Sequence, residues 1–289
     1  MKKLGILLIG VLSIVACKEA KKEAPSATGE PKKPIVKLYA FNGGTVQANM
    51  LELFSEDDTY KGESKTFADA FYVIQHPKGN LIWDAGLPEG LVGMDKPFTT
   101  PNGAFTVSRK DSVADQLAKI GLTPQDFDFI ALSHTHFDHT GTANTFKEST
   151  WLVQESEYNF ITSDSVQKAQ ADNYNAIKEL TRVKKLNGDH DVFGDGSVII
   201  KSMPGHTIGH QVLFLDLAES GPILLTGDLY HFEENREIQM APIFNFDIPQ
   251  TKESMKAFEA FAADKNAKVF IQHSPKDFAK MPVVPAYLQ

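Results

Sequence analysis

From residue 35 onward, short apolar stretches alternate with longer segments in which apolar residues recur at helical spacing. Stretches rich in Val, Ile, Phe and Tyr and bounded by Gly, Pro, Asp or Asn are typical of β-strands. The predicted strands are IVKLYAF (35–41), the two arms of DAFYVIQHPKGNLIWDAG (69–86), FDFIALSH (127–134), STWLVQES (149–156), SVIIKSMPGH (197–206), HQVLFLDL (210–217), PILLTGD (222–228) and AKVFIQHS (267–274).

Helices are predicted between these strands. DSVADQLAKIGL (111–122) has an Asp cap at its start, apolar residues on one helical face and Gly121 near its end. Residues 164–180 and 250–265 are two further amphipathic segments. The order predicts an α/β fold in which a mixed sheet sandwich is covered by helices, with polar residues gathered where strands end.

The first residues, MKKLGILLIGVLSIVAC, have the pattern of an export signal. Two lysines precede an apolar run that is too short to span a bilayer as a mature helix, and small residues follow it. This pattern predicts a signal peptide over residues 1–16. It resembles a bacterial lipoprotein signal, which implies cleavage before Cys17 and lipid on its sulfur. The alternative is a plain signal peptide with an accidental cysteine.

Residues 17–34 are charged, rich in Ala and Pro and nearly free of large apolar side chains, which predicts a disordered tether after the lipidated cysteine. A single folded domain is then expected over residues 35–289. A lysine directly after Cys17 resembles the residue pattern of lipoproteins that are sent to the outer membrane. We expect an exported protein on the periplasmic or surface face of that membrane, or otherwise a periplasmic or secreted one. The lipid is the only membrane contact expected, because no later apolar run reaches spanning length.

Composition excludes some partners and ligands. The 289-residue chain has a formal net charge of −8 and no basic block in the predicted domain, so no nucleic acid is expected as a partner. Its single cysteine would be used by the lipid. The mature protein would then have no disulfide and no thiolate ligand, and any metal would be held by histidine and carboxylate.

The stretch SHTHFDHTG (133–141) places three histidines and one aspartate within six positions. Such a stretch is either a solvated polar loop or a metal site. Zinc and similar ions favour imidazole and carboxylate where thiolate is lacking, and the alternating His134 and His136 can converge on one point. Asp138 and His139 follow at the turn into a helix, and they can face a second point nearby.

Three further candidates stand at predicted strand ends: His206 in PGHTIGH, Asp228 in LLTGD and His273 in IQHS. Together with the first motif they make seven ligands, enough for two metal ions if Asp228 bridges them. His210 begins the next strand, so we expect it to pack or hydrogen-bond near the site.

The order and spacing of these seven residues resemble those of the metallo-β-lactamase superfamily. The resemblance covers the chain from about residue 35 to its end. It implies an αββα four-layer sandwich with a dinuclear site at the edge of two sheets. The ligands implied for the first metal are His134, His136 and His206, and those implied for the second are Asp138, His139 and His273.

Asp228 and a water or hydroxide would bridge the two metals. Asp84 in LIWDAG matches an early aspartate of the superfamily that orients a ligand histidine; the alternative is a simple turn aspartate. The two divalent ions are expected to be Zn²⁺, with Mn²⁺, Fe²⁺ or Co²⁺ as alternatives for this donor set.

A bound divalent metal lowers the pKa of water from about 15.7 to about 7 and polarises a carbonyl, so the predicted reaction class is hydrolysis. Within the superfamily, the bridging Asp228 argues against antibiotic hydrolysis as the main task. The short tail after His273 leaves no room for the substrate domain of glyoxalase-type thioesterases. The basic surfaces and added domains of the RNA-processing branches are also missing.

With these branches excluded, the sequence resembles the N-acyl-homoserine lactonases, which are quorum-quenching enzymes. The matching stretches are KLYAFNGGT, HPKGNLIWDAG, SHTHFDHTG, PGHTIGHQVLFLD, ILLTGD and VVPAYLQ. The resemblance implies that metal-bound hydroxide opens the lactone ring of an N-acyl-homoserine lactone, that Asp138 passes the proton, and that Phe137 lines the pocket. It also suggests a homodimer.

One departure from the lactonases concerns a substrate contact. The family has a tyrosine three residues after the bridging aspartate, whereas this chain has His231 there and Tyr230 one position earlier. Either residue can take the role. A broader esterase, an aryl-lactonase or an organophosphate hydrolase is the alternative enzyme on the same site. A non-catalytic binding protein is disfavoured by the complete set of ligands.

Overall fold

Two β-sheets lie face to face in the computed structural model, which describes Met1 and residues 33–289. The signal peptide, the lipidated Cys17 and the tether up to residue 32 are predictions that lie outside the described residues. Lys33–Gln289 form one compact unit.

The strands are β1 (Lys37–Ala48), β2 (Lys65–His76), β3 (Gly79–Trp83), β4 (Phe98–Thr99), β5 (Phe105–Ser108), β6 (Phe129–Ala131), β7 (Thr150–Gln154), β8 (Val183–Leu186), β9 (His190–Asp191), β10 (Val198–Ser202), β11 (Gln211–Leu217), β12 (Gly221–Leu225) and β13 (Lys268–Phe270). The helices are α1 (Val113–Ala118), α2 (Phe137–Thr140), α3 (Glu155–Ile161), α4 (Asp164–Ala169), α5 (Ala171–Ile177), α6 (Glu233–Glu237), α7 (Ile248–Lys265) and α8 (Pro275–Lys280).

Strand order explains why the polar strand ends meet. The first sheet has the order β4-β5-β1-β2-β3-β6-β7-β8, and the second has the order β13-β12-β11-β10-β9. In the first sheet β3, β6, β7 and β8 are parallel, and in the second β12 and β13 are parallel. Parallel neighbours end at the same edge of a sheet, so the segments that follow them lie side by side.

Apolar side chains form a core between the sheets and a second core on each outer face. The central core contains Trp83 and Leu152 of the first sheet with Leu213 and Leu225 of the second. Helices α1, α3 and α5 cover the outer face of the first sheet, and α7 covers that of the second. This arrangement is the predicted four-layer sandwich, so the predicted fold class is confirmed.

Some local predictions were wrong. The predicted helix over residues 164–180 forms two helices, because the backbone leaves the helical region at Gln170 (φ −123°, ψ 49°). Helix α1 is capped by Ser112, whose side chain accepts the backbone N–H of Asp115, and not by Asp111. The predicted strand over residues 149–156 ends at Gln154, and α3 begins at Glu155.

Among the described residues, no helix combines the length and the apolar character that crossing a bilayer requires.

The turn after the ligand motif packs directly on the loop after β3. The backbone N–H of Gly141 donates to the carbonyl of Gly86 at 2.8 Å, and a Cβ at Gly141 would lie 2.1 Å from the carbonyl carbon of Leu87. We therefore expect Gly141→Ala to lower the free energy of unfolding by about 1–3 kcal/mol or more, because the loops must separate.

Chemical denaturation followed by circular dichroism measures this loss. Gly90→Ala is the matched control, because a Cβ at Gly90 meets nothing within 4 Å in the described structure. Equal unfolding midpoints for the two variants would contradict the close approach.

Candidate metal centre

The predicted ligands converge at one edge of the sandwich. His134 stands three residues after β6, and Asp228 and His273 each stand three residues after β12 and β13. The loop after β10 brings His206 to the same edge. All four side chains are buried, with 1–3% of their surface exposed. The fold therefore assembles a buried polar centre from segments far apart in sequence.

The first group consists of three histidines whose nitrogens face one another. Nε2 of His134 lies 2.9 Å from Nδ1 of His136, and Nε2 of His206 lies 3.2 Å and 3.1 Å from those two atoms. Tetrahedral coordination with metal–nitrogen bonds of about 2.0–2.1 Å would place ligand nitrogens about 3.3 Å apart. The three imidazoles therefore have the spacing of a metal site.

The second group contains Asp138, His139 and His273. The Nε2 atoms of its two histidines are 3.2 Å apart. Each carboxylate oxygen of Asp138 lies 3.9 Å from one of these nitrogens. The ligand atoms of each group lie within 4.8 Å of one another, in the same division that the sequence resemblance implies.

Asp228 lies between the two groups. Its Oδ1 is 3.0 Å from Nε2 of His139 and 2.9 Å from Nε2 of His273. Its Oδ2 is 3.4 Å from Nε2 of His206 and 3.6 Å from Nε2 of His134. Each oxygen thus faces a different group, which is the arrangement that a bridging carboxylate needs.

The buried polar atoms fit a cation better than they fit hydrogen bonds. Among the described residues, the buried Oδ1 of Asp228 accepts no hydrogen bond of acceptable geometry. Only one of two facing imidazole nitrogens can donate a proton to the other, so three mutually facing nitrogens cannot all be satisfied by hydrogen bonds. A divalent cation among them would satisfy every lone pair, and imidazole with carboxylate is a donor set that Zn²⁺ and its neighbours accept.

The electrostatics also favour cations. Burial lowers the pKa of His134 and His206 well below the usual value, so both are neutral, as metal ligands must be. Burial also opposes charge on His273, but Asp228 outweighs it and raises the pKa of His273 to about 9. Although burial opposes its charge, His139 and His273 hold the pKa of Asp228 well below the usual range. The field of Asp228 therefore attracts positive charge.

The outer nitrogen of four ligand histidines has a fixed partner. These partners are Ser133 Oγ for His134 (3.0 Å), Asp84 Oδ2 for His139 (3.0 Å), Asn245 Oδ1 for His206 (2.8 Å) and the carbonyl oxygen of Ala68 for His273 (2.8 Å). Such contacts set the ring orientation and the tautomer of a metal ligand.

Asp84 has the position that the sequence resemblance implies. It is fully buried, and its backbone has a left-handed φ of 59°, which is strained for a residue with a Cβ. Its Oδ1 accepts the backbone N–H of Ser133 at 2.6 Å, and its Oδ2 accepts the side-chain N–H of Gln272 at 2.7 Å as well as contacting His139. The Asp84 carboxylate thus links His139 to the segment that carries His273.

His210 holds Asp228 through its backbone. Nε2 of His210 accepts the N–H of Asp228 at 3.0 Å, and its Nδ1 lies 3.0 Å from the carbonyl oxygen of Met203. Hence Nδ1 carries the proton, and His210 contacts a predicted ligand without belonging to either ligand group.

A cavity of ≈ 390 Å³ opens beside the centre. Its polar lining includes Asp138, Asp228 and His231, and its apolar lining is Val46, Leu53, Phe54, Phe67, Phe105, Phe137 and Phe244. Phe137 therefore lies where the sequence resemblance places it.

Of the two substrate-contact alternatives, His231 lines the cavity, whereas Tyr230 is buried in the core. Nε2 of His231 lies 3.1 Å from Oδ2 of Asp228, and its ring packs edge-on against Phe54 and Phe244. The ring of Tyr230 instead packs in the core under α7, and its hydroxyl is hydrogen-bonded to Gln239. Successive side chains of an extended segment point in opposite directions, so only one of the pair can face the cavity.

Sequence reasoning missed three buried residues that support the centre: Asn245 and Gln272, which contact ligand histidines, and Glu157, which contacts the loops that carry them. Gln272 directly precedes His273 at the end of an apolar strand, which was a usable signal. Nothing in the local sequence marked Glu157 or Asn245, because their burial depends on segments distant along the chain.

The chain is similar to known proteins in both sequence and fold. A sequence model of the family described as the metallo-β-lactamase superfamily matches residues 68–273. The chain is 29% identical over 224 residues to an N-acyl homoserine lactonase of Bacillus sp., covering 75% of this chain and 85% of the relative. It is 27% identical over 266 residues to one of Rhizobium radiobacter, covering 87% and 98%.

A solved structure of an N-acyl homoserine lactone hydrolase, with the product N-hexanoyl-L-homoserine bound at the catalytic metal centre, has a similar fold. The TM-score is 0.73 at 25% identity, over 88% of this chain and all of that chain.

We expect Asp84→Asn to weaken metal binding at the second group about 10–100-fold. Only one end of an amide accepts hydrogen bonds, whereas the Asp84 carboxylate accepts from Ser133 at one oxygen and contacts Gln272 and His139 at the other. Asparagine tolerates the left-handed backbone, so the fold should persist. Competition with a chromogenic chelator measures the affinities. The control is Asp58→Asn, whose side chain is 83% exposed; affinities equal to that control would contradict the assignment of Asp84.

Proposed function

The chain belongs to the metallo-β-lactamase superfamily and is a hydrolase, and from this membership we propose that it is a two-metal lactonase that opens the ring of N-acyl-homoserine lactones. The single observation that carries the proposal is the position of Asp228, with one carboxylate oxygen facing each group of ligands beside an apolar cavity. The lactonase relatives support the substrate class.

When bound, two divalent ions would supply a hydroxide at neutral pH and polarise the lactone carbonyl. His134, His136 and His206 would hold one ion, and His139, His273 and Asp138 the other. The ligand atoms of His134, His139, His206 and His273 are shielded from bulk water, because these four side chains are buried. Because each ring is fixed through its outer nitrogen or by its neighbours, little reorganisation is needed during the reaction.

Asp138 is the residue that we propose to move a proton. It is half-buried, it lines the cavity, and its side chain is more exposed than those of the two histidines in the second group. A carboxylate in this position can accept a proton at Oδ1 or Oδ2 and pass it to the ring oxygen as that oxygen leaves. The product would be the open N-acyl-homoserine.

His231 orients the substrate in this proposal. Its ring stands between Phe54, Phe244 and the Asp228 carboxylate at the cavity wall. An imidazole has two nitrogens for hydrogen bonding, so it can replace the phenol found in the lactonases and contact a substrate carbonyl.

The cavity suits a small lactone with an acyl tail. Its volume of ≈ 390 Å³ lies within the usual range for small-molecule sites of about 300–1,000 Å³. Phe54, Phe105 and Phe137 would bury the tail away from water, and burying each CH₂ stabilises the complex by about 0.8 kcal/mol.

A broader esterase or organophosphate hydrolase is the alternative. Among the described residues, Asn102 and His231 are the polar groups of the cavity lining outside the predicted ligands. Few groups could therefore select the amide of an acyl-homoserine, and the ligands would serve any activated ester.

We further propose, from residues 1–17 of the sequence, that the enzyme is exported and anchored by lipid at Cys17. It would then meet lactone signals outside the cytoplasm.

The proposal predicts fast ring opening of N-acyl-homoserine lactones by the metal-loaded protein, and slow turnover of a phenyl ester and a phosphotriester. Proton release at pH 7–8 measures all three reactions. His136→Ala should lower kcat/KM by more than the roughly 10–100-fold effect typical of a lost outer partner. A protein that carries two metals and turns over the ester faster than any lactone would favour the alternative.

We expect His231→Phe to lower kcat/KM for the lactone about 100-fold, because the ring packing remains while the polar contact is lost. Tyr230→Phe is the matched control, because it removes only the hydroxyl that contacts Gln239. Steady-state kinetics separate the two. A larger loss in Tyr230→Phe than in His231→Phe would refute the role of His231.

A further inference from the structure

The carboxylate of Glu157, which is not a candidate ligand, joins two ligand-bearing loops. Glu157 lies in the first turn of α3 and is 1% exposed. Its Oε1 accepts the backbone N–H of Thr135 at 3.0 Å and the Thr135 hydroxyl at 2.7 Å. Its Oε2 accepts the backbone N–H of Gly209 at 2.9 Å. One side chain thus bridges two segments that are distant along the chain.

Both partners of Glu157 stand close to metal ligands in the sequence. Thr135 lies between His134 and His136, and Gly209 lies in the loop between β10 and β11, which also carries His206. These loops carry all three histidines of the first group. We infer that Glu157 is a positioning residue, which holds the imidazoles of the first group in the geometry that binds a metal ion.

The packing at Gly209 supports a tight junction. A Cβ at Gly209 would lie 2.5 Å from Cβ of Glu157 and 2.7 Å from its backbone nitrogen. The hydroxyl of Ser156 also donates to the carbonyl oxygen of Ile208 at 3.2 Å. The loop after His206 therefore rests directly on the start of α3, so a shift of the Glu157 side chain displaces this loop.

The chemistry of the junction requires a carboxylate. Burying an acid is unfavourable unless its oxygens are hydrogen-bonded, and here each oxygen accepts at least one bond from a backbone N–H. Hydrogen bonds to an ionised group are about twice as strong as neutral ones. Glutamine has nearly the same shape, but its NH₂ group would face a donor. Glu157→Gln should therefore loosen one loop without leaving a cavity.

The effect should be confined to one ion. The second group depends on Asp84 and on the carbonyl of Ala68, and neither residue contacts Glu157 through a hydrogen bond among the described residues. The inference rests on the two-metal part of the proposed function and is independent of the lactone substrate.

Titration of the metal-free full-length protein with Co²⁺, in competition with a chromogenic chelator, tests the inference through binding and through the visible spectrum of bound Co²⁺. Wild type should bind two ions. Glu157→Gln should bind one of them about 10–100-fold more weakly and the other within about three-fold of wild type. The control is Glu155→Gln on the same helix, whose side chain is 56% exposed; it should match wild type.

Adding Asp84→Asn to Glu157→Gln identifies the ion, because the double variant should bind both ions weakly.

If Glu157→Gln does not fold, variants of Thr135 test the same inference. Thr135→Val removes the hydroxyl donor to Glu157 and should weaken the same ion, whereas Thr135→Ser keeps the donor and should bind normally. Equal weakening of both ions, or wild-type affinities in Glu157→Gln, would overturn the inference. A wild type that binds no metal would instead overturn the proposed function.

Discussion

The structure depends on the compensation of one buried negative charge, the carboxylate of Asp228. It is 3% exposed and lies among imidazoles from the loops after β6, β10, β12 and β13. A buried carboxylate without nearby positive charge is strongly unfavourable. Protons can supply that charge, and so can cations, in which case metal binding also stabilises the fold. The meeting of strand ends from both sheets makes this compensation possible.

Contacts outside the ligand set keep this arrangement in place. Asp84 orients His139, Asn245 orients His206, and His210 holds the backbone of Asp228. The strained backbone of Asp84 persists because Ser133 and Gln272 both donate to its carboxylate. The geometry of the ligands thus depends on polar residues that would not contact an ion. The apolar cavity beside the ligands would contact the substrate.

Local sequence predicted the strands and their polar ends well, because β-branched runs followed by Asp or His have a clear physical meaning. The sequence predicted helix boundaries, side-chain directions and burial less well where contacts between distant segments determine them. The break between α4 and α5 at Gln170 has no Gly or Pro to mark it, and Tyr230 and His231 could be told apart only by the side of the chain on which each lies. Glu157 is acidic and close to the exposed Glu155, so its burial follows only from the approach of Thr135 and Gly209.

Anomalous diffraction from crystals of the metal-loaded protein, recorded at the absorption edge of the bound metal, tests the central claim most directly. The account predicts two peaks about 3.5–4 Å apart, the usual separation in two-metal sites. One peak should lie within coordination distance of His134, His136 and His206, the other near His139 and His273, with the Asp228 carboxylate between them. A single peak, or two peaks that do not share Asp228, would contradict the account.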